Sequence, residues 1–191
     1  MVPTLIGVAL GFVLAVGWEM VRNALTRARR DAAVLEAAIA EIDAARATAA
    51  NNQQLARDDM SVVKSKGDDI VNPLDPVEGG FWDVIKYDPP RGLTVDPAAL
   101  ARVRDVARRT DQVNEMIRAR EAFKSSQAKP ADFQTGDRLV AYDALIDMFS
   151  AQLIEKLDAL KPAVEAAQQR RPMLVRLART ARMIALQRPV D

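Results

Sequence analysis

The chain has 191 residues, with 27 Lys and Arg against 26 Asp and Glu, a formal net charge of +1, and neither cysteine nor histidine. The near-neutral balance argues against a whole-chain electrostatic binder of nucleic acid, so nucleic acid is not an expected partner. The two missing residue types remove disulfides, thiolate nucleophiles, Ser-His and Cys-His catalysis, haem and iron–sulfur ligation by the usual residues, and nearly all zinc sites.

Neither G-x-x-x-x-G-K-[ST] nor G-x-G-x-x-G occurs, so the standard phosphate-cradling loops are missing as well. Asp58-Asp59 and Asp68-Asp69 are adjacent acids. Neighbours on a helix point about 100° apart and do not converge on one site, so both pairs read as solvated. No catalytic residue, metal ligand or cofactor site is expected, and the chain reads as a non-enzyme. Heavy use of alanine and arginine with little lysine suggests a GC-rich bacterial genome.

Residues 1–21 are the stretch that places the rest. Met1 to Trp18 carries no charge, and Met20 and Val21 extend the apolar surface past Glu19. A span needs roughly 17–25 mostly apolar residues at about 1.5 Å each, so this is a short but adequate transmembrane helix. Trp18 stands where an interfacial aromatic is expected, and Arg22, Arg27, Arg29 and Arg30 follow at once. The positive-inside rule then puts the N-terminus outside and the long remainder in the cytoplasm, as a single-pass inner-membrane protein. A cleaved signal peptide, with Ala15-Val16-Gly17 as its site, would want its basic residues before the apolar run, the reverse of this arrangement. Gly7 and Gly11 form a G-x-x-x-G, a strip through which two such helices can dimerise, so a homodimer is one expectation.

Residues 22–66 contain no glycine or proline. Leu25, Ala28, Ala32, Leu35, Ile39 and Ile42 step by three and four, then the seam weakens through Arg46, Ala49, Gln53 and Ala56 before Met60 and Val63. The pattern predicts one long coiled-coil-like stalk helix continuous with the span, partnered by a second copy or by later helices. The polar tract Asn51-Asn52-Gln53-Gln54 reads as exposed, with a register-setting buried amide as the alternative.

Residues 67–96 change character, with Gly67, Gly79, Gly80 and Gly92 and with Pro73, Pro76, Pro89 and Pro90. They also carry Ile70, Val71, Leu74, Phe81, Trp82, Val84, Ile85 and Tyr87, too apolar a set for a disordered linker. An ordered connection is expected, with a short helix near 80–86. Phe81, Trp82 and Tyr87 are candidate partner-binding residues, because loop aromatics often anchor interfaces. The competing reading has Phe81 and Trp82 capping the core.

Asp96-Pro97 is a helix start, an N-cap acid followed by proline in the first turn. The predicted helix runs to about Ser126 with Ala99, Val103, Val106, Thr110, Val113 and Ile117 inside and Phe123 near its end. Its six arginines, Arg120 among them, alternate with acids and read as a solvated, salt-bridged face. After Pro130 and Gly136 a second helix, about 137–160, presents Leu139, Tyr142, Ile146, Phe149, Leu153, Leu157 and Leu160, and Pro162 kinks or ends it. Residues 97–164 are thus expected to form an antiparallel helical hairpin.

The last segment, 165–191, reads as a basic amphipathic helix. Arg170, Arg171, Arg176, Arg179 and Arg182 meet no acid before Asp191, while Met173, Leu174, Leu177, Ala181, Ile184 and Leu186 supply an apolar side. Those five arginines are candidate contacts for anionic lipid or another polyanion; the competing reading docks the apolar side on the domain.

Asn72-Pro73-Leu74, Phe81-Trp82-Asp83-Val84, Val113-Asn114 and the run Ile117 to Glu121, in this order behind an apolar N-terminus, resemble uncharacterised single-pass bacterial inner-membrane proteins with an N-terminal anchor and a cytoplasmic helical domain. The resemblance covers about two thirds of the chain and implies architecture only. A phage inner-membrane spanin is similar in outline, yet would need its long part outside, against the arginines after Val21. The expected fold is all-α: a transmembrane helix continuous with a long stalk, and a hairpin packing on it as a small bundle. The expected function is a non-catalytic membrane-anchored scaffold or adaptor that binds a protein partner at the cytoplasmic face. The alternative is a membrane-tethered binder of anionic lipid or nucleic acid through the arginine-rich C-terminal helix.

Overall fold

The computed structural model describes the backbone of residues 2–66, 72–126 and 133–170, and the side chains of 14–62, 72–126 and 137–170. Every element among them is helical: α1 (Val2–Lys66), α2 (Gly80–Tyr87), α3 (Arg91–Thr94), α4 (Pro97–Ser126) and α5 (Phe133–Gln169). Among the described residues no helix is long and apolar enough to cross a membrane. The first thirteen residues of the expected span lie outside those whose side chains are described.

At 65 residues, α1 is roughly 100 Å long at 1.5 Å per residue. Its stretch after Gly17 lacks both helix breakers and is rich in alanine, the strongest helix former, so nothing local interrupts it. The buried face is Leu35, Ala38, Ile42, Ala45, Ala49, Asn52, Ala56 and Asp59, an unbroken alternation of three and four. This corrects the phase read from sequence. Leu35, Ile42, Ala49 and Ala56 are where expected, but the intervening positions fall one residue earlier than Ile39, Arg46, Gln53 and Met60. Alanines occur all round this helix, so apolar periodicity defines its inner face weakly, and the partner chooses it.

That partner is α5. Arg57 Nε donates to Asp147 Oδ1 at 3.0 Å and Arg46 Nε to Asp158 Oδ1 at 2.9 Å. Lys161 Nζ donates to Asp43 Oδ1 at 2.6 Å. Each step down α1 is matched by an equal step along α5, which makes the pair antiparallel in constant register. These three pairs are half-exposed, so they align the helices more than they stabilise them. α5 buries Leu139, Ile146, Leu153, Leu157, Leu160, Val164 and Ala167 and packs on α4 as well as α1. It passes through Pro162 and ends at Gln169, so residues 165–169 belong to this helix and the hairpin does not stop at 164. Val164 and Ala167, buried beyond the proline, hold the last turns on the core.

In α4 the predicted inner stripe is buried residue for residue. Asp96 Oδ1 accepts the backbone N–H of Ala98 at 3.0 Å and of Ala99 at 3.2 Å, the N-cap the sequence announced.

Little of α4 touches α1 directly. Residues 72–96 lie between them, descending antiparallel to both while α1 and α4 ascend. Asn72 meets Asp59, Asp75 meets Asn52, and the N–H of Arg91 faces Asp31 at 3.4 Å. The architecture is therefore an up-down-up-down four-element bundle whose second leg is an irregular strap followed by two short helices.

Candidate functional site

The strap, residues 72–79, has no internal hydrogen-bond ladder, so its backbone groups must find partners elsewhere. They find side chains. Asn52 Nδ2 donates to the Asp75 carbonyl at 2.6 Å while its Oδ1 accepts the Asp75 N–H at 3.1 Å. Asn114 repeats the device from α4: Nδ2 donates to the Val77 carbonyl at 2.7 Å and Oδ1 accepts the Val77 N–H at 2.8 Å. Each amide pairs with the N–H and the C=O of one residue, as a residue of a neighbouring β-strand would. Leu74, just before the first clamp, and Val77, held by the second, are buried.

At the head of the strap sits an enclosed ionic cluster. Arg120 is fully buried, and its Nη2 donates to Asp59 Oδ2 at 2.5 Å. Its Nε donates to Asp143 Oδ1 at 2.6 Å, and its Nη1 to the Asn72 carbonyl at 3.0 Å and to Glu121 Oε1 at 3.1 Å. Asp59 also accepts the Asn72 N–H at 3.0 Å and the Asn72 amide at 2.6 Å. α1, the strap, α4 and α5 are thus joined at one guanidinium. Burial pushes the Asp143 carboxyl up to about 6; Arg120 pulls it down, and Asp59 and Glu121 add to the rise. Lower on the strap side, Glu41 is also raised, by burial first and then by the neighbouring Glu78 carboxylate.

The cluster corrects two expectations. Asp59 read as a solvated acid and Arg120 as part of a solvated face, yet they are 1% and 0% exposed. Asn52, expected on an exposed tract, is buried. No family model, curated protein or solved structure matches this chain.

The Arg120 cluster is closed to solvent, with the guanidinium and both buried carboxylates engaged in protein hydrogen bonds, which suits a structural clasp. Among the described residues no group of three or more acids is placed to hold a metal ion.

The sequence-expected contact residues separate. Trp82 is fully buried and belongs to the core with Ile85 and Leu93, which withdraws it from the expected partner-binding set. Phe81 is partly buried and packs edge-on against Trp82 at 5.5 Å between centroids. Their placement follows the α2 pattern, in which Trp82 and Ile85 share one helical face. Tyr87 is 79% exposed and stands at the end of α2, one turn after exposed Val84; Val95, after α3, is exposed as well. Arg170 is exposed at the end of α5. Arg171, Arg176, Arg179 and Arg182, and the Gly7 and Gly11 strip, lie outside the residues whose side chains are described.

One open groove, about 360 Å³, lies at the α3 end of the bundle. Val21, Ala24, Leu25, Ala28 and Ala32 of α1 form one wall, Gly92, Val95 and Ala167 the other, with Asp31, Arg91 and Arg170 at its margin.

Proposed function

We propose that this protein is a non-catalytic, membrane-anchored helical scaffold whose bundle presents its α2–α3 side to a protein partner at the cytoplasmic face of a bacterial inner membrane. The observation that carries the reading is the start of α1. The helix is unbroken from Val2, yet residues 14–24 lie wholly in the open, with Leu14, Val16, Trp18, Met20 and Val21 all exposed and between 39% and 71% accessible. Large apolar side chains on a helix that no other described residue covers call for a lipid or protein environment. Arg22, Arg27, Arg29 and Arg30 come next and favour the cytoplasm for the bundle beyond them. The resemblance to anchored bacterial proteins supports the same architecture.

Tyr87 and Val84 are exposed on α2 itself, the helix that buries Trp82 and Ile85, where a rigid base would support an interface. The test is membrane fractionation of the full-length protein with alkaline extraction, coupled to crosslinking from position 84. Retention in the extracted membrane pellet, and capture of a defined neighbour that Tyr87→Ala abolishes, are the results expected. Release by alkali refutes the anchor; capture unaltered by the substitution refutes the binding face.

A further inference from the structure

We infer that the groove at the α3 end of the bundle binds one long-chain fatty acid, its acyl chain laid along α1 and its carboxylate held by Arg27, Arg91 and Arg170.

Shape and lining argue for the acyl chain. At about 360 Å³ the groove stands at the small end of ligand sites, which run from roughly 300 to 1,000 Å³, a size that suits a ligand with one chain. Its α1 wall runs from Val21 to Leu35, roughly 21 Å of helix at 1.5 Å per residue. A bilayer core about 30 Å thick holds two layers of acyl chains, so a single chain needs about 15 Å. The wall is long enough. Ala24, Ala28 and Ala32 follow one another at one-turn spacing along it, and Gly92 and Ala167 face them. Each puts only a methyl group or a hydrogen where a larger side chain would close the slot. Val21, Leu25 and Val95 complete an apolar lining from which a hydrocarbon displaces water.

Charge argues for the carboxylate. Arg27, Arg91 and Arg170 line the groove against Asp31 alone, three guanidinium groups to one acid and a surplus of two positive charges. Asp31 already accepts the backbone N–H of Arg91 at 3.4 Å. Among the described residues, no carboxylate pairs with the side chain of Arg27, Arg91 or Arg170, whereas Arg30 on the same helix has Asp88 and Arg46 has Asp158. A guanidinium presents a planar fork that matches the two oxygens of a carboxylate. An apolar slot with such forks at its margin fits an anion that carries a hydrocarbon tail. A neutral chain leaves the arginines unused, and a basic peptide is repelled by them. The inference rests on the described walls and does not require α1 to enter a membrane.

The test irradiates the full-length protein, in non-ionic detergent micelles, with palmitate that carries a diazirine at mid-chain. Mass spectrometry then locates the adducts. The expected result is labelling between Val21 and Leu35 and beside Val95, competed by unlabelled palmitate and not by its methyl ester. Arg27→Gln/Arg91→Gln/Arg170→Gln should lower that labelling severalfold. Ala28→Phe, which fills the slot and leaves every arginine in place, should lower it as much. Circular dichroism and urea midpoints confirm that each variant is folded. Adducts confined to residues 2–20 would mean simple partition into the micelle, and equal competition by the methyl ester would leave the arginines without a role. Tighter competition by a two-chain phosphatidic acid would give the groove to a bilayer lipid. Labelling that appears only after residues 171–191 are deleted would give it to the chain's own end. Any of these, or a groove left unlabelled throughout, overturns the proposal.

Discussion

Arg120 and Asp59, 61 residues apart in the chain, meet at 2.5 Å in a site closed to solvent. A guanidinium and a carboxylate removed from water cost several kcal/mol each in desolvation, which their attraction repays only if every remaining lone pair and proton is used. Here Asn72, Asp143 and Glu121 take three more of the guanidinium N–H groups, and Asn72 donates twice to Asp59. The pair therefore fixes which residues meet more than it adds to net stability.

Removing one member should be far worse than removing all. Arg120→Met leaves two buried carboxylates without their cation, and the expected loss is about 3–5 kcal/mol. The triple variant Arg120→Met/Asp59→Leu/Asp143→Leu should recover most of it. Urea denaturation followed by circular dichroism measures both; a triple variant no more stable than the single one would refute this account.

Stability should also carry a signature of Asp143. Its carboxyl is raised from 3.8 to about 6 in the folded state, chiefly by burial. The folded protein thus holds a proton between those values that the unfolded chain releases. The resulting stabilisation is present in full below about pH 4 and is lost as pH rises through 6, with a ceiling of about 3 kcal/mol at roughly 1.4 kcal/mol per unit. Other carboxylates contribute their own trends, so the useful quantity is the difference between the wild type and Asp143→Asn, measured as urea midpoints from pH 4 to 7. That difference should change across the window and level off above it; a flat difference would contradict the assignment.

The two amide clamps should act locally. Asn52→Ala or Asn114→Ala strips the partners of the N–H and C=O of one strap residue, an expected cost of about 1–3 kcal/mol each. Hydrogen exchange should accelerate at Asp75 in the first variant and at Val77 in the second, ahead of the amides in the middle of α5. Uniform acceleration across the bundle would mean that the strap does not open on its own.

Two glycines should respond in opposite ways. A Cβ on Gly92 would meet the Ala167 carbonyl oxygen at 3.0 Å and its Cβ at 3.1 Å. Gly92→Ala must therefore push α3 off α5, at an expected cost of about 1–3 kcal/mol. Gly80 meets nothing within 4 Å and begins α2, so Gly80→Ala should be neutral or stabilising by up to about 1 kcal/mol. Thermal melts of the two variants side by side decide it.

The short helix α2 and the start of α4 were legible because proline, glycine and the Asp96 cap punctuate the chain, whereas the end of α5 was not, since that helix runs on through Pro162 to Gln169. The α4 stripe was legible because its apolar residues fall on one side only. In α1 they do not, and the phase slipped by one residue. The clasp was hidden for a different reason. Asn52, Asp59 and Asp143 stand at seam positions by spacing, but a polar residue in a seam signals burial only when its partner is known. Those partners come from the strap, which has no period, and from Arg120, one arginine among six on its helix. A signal was nevertheless present: Asn52 and Asp59 continue the three-four count from Ala38, Ala45 and Ala49 without a break.

A bundle whose second leg makes few hydrogen bonds of its own has, in effect, swallowed a peptide. Asn52, Asn114 and Arg120 form a receptor for the extended chain, and the strap is its tethered ligand. Tethering supplies a high effective concentration in place of intrinsic affinity. A free peptide spanning Asn72 to Gly79 should therefore compete poorly with the intact protein, and should bind well once the protein's own copy has been cut out.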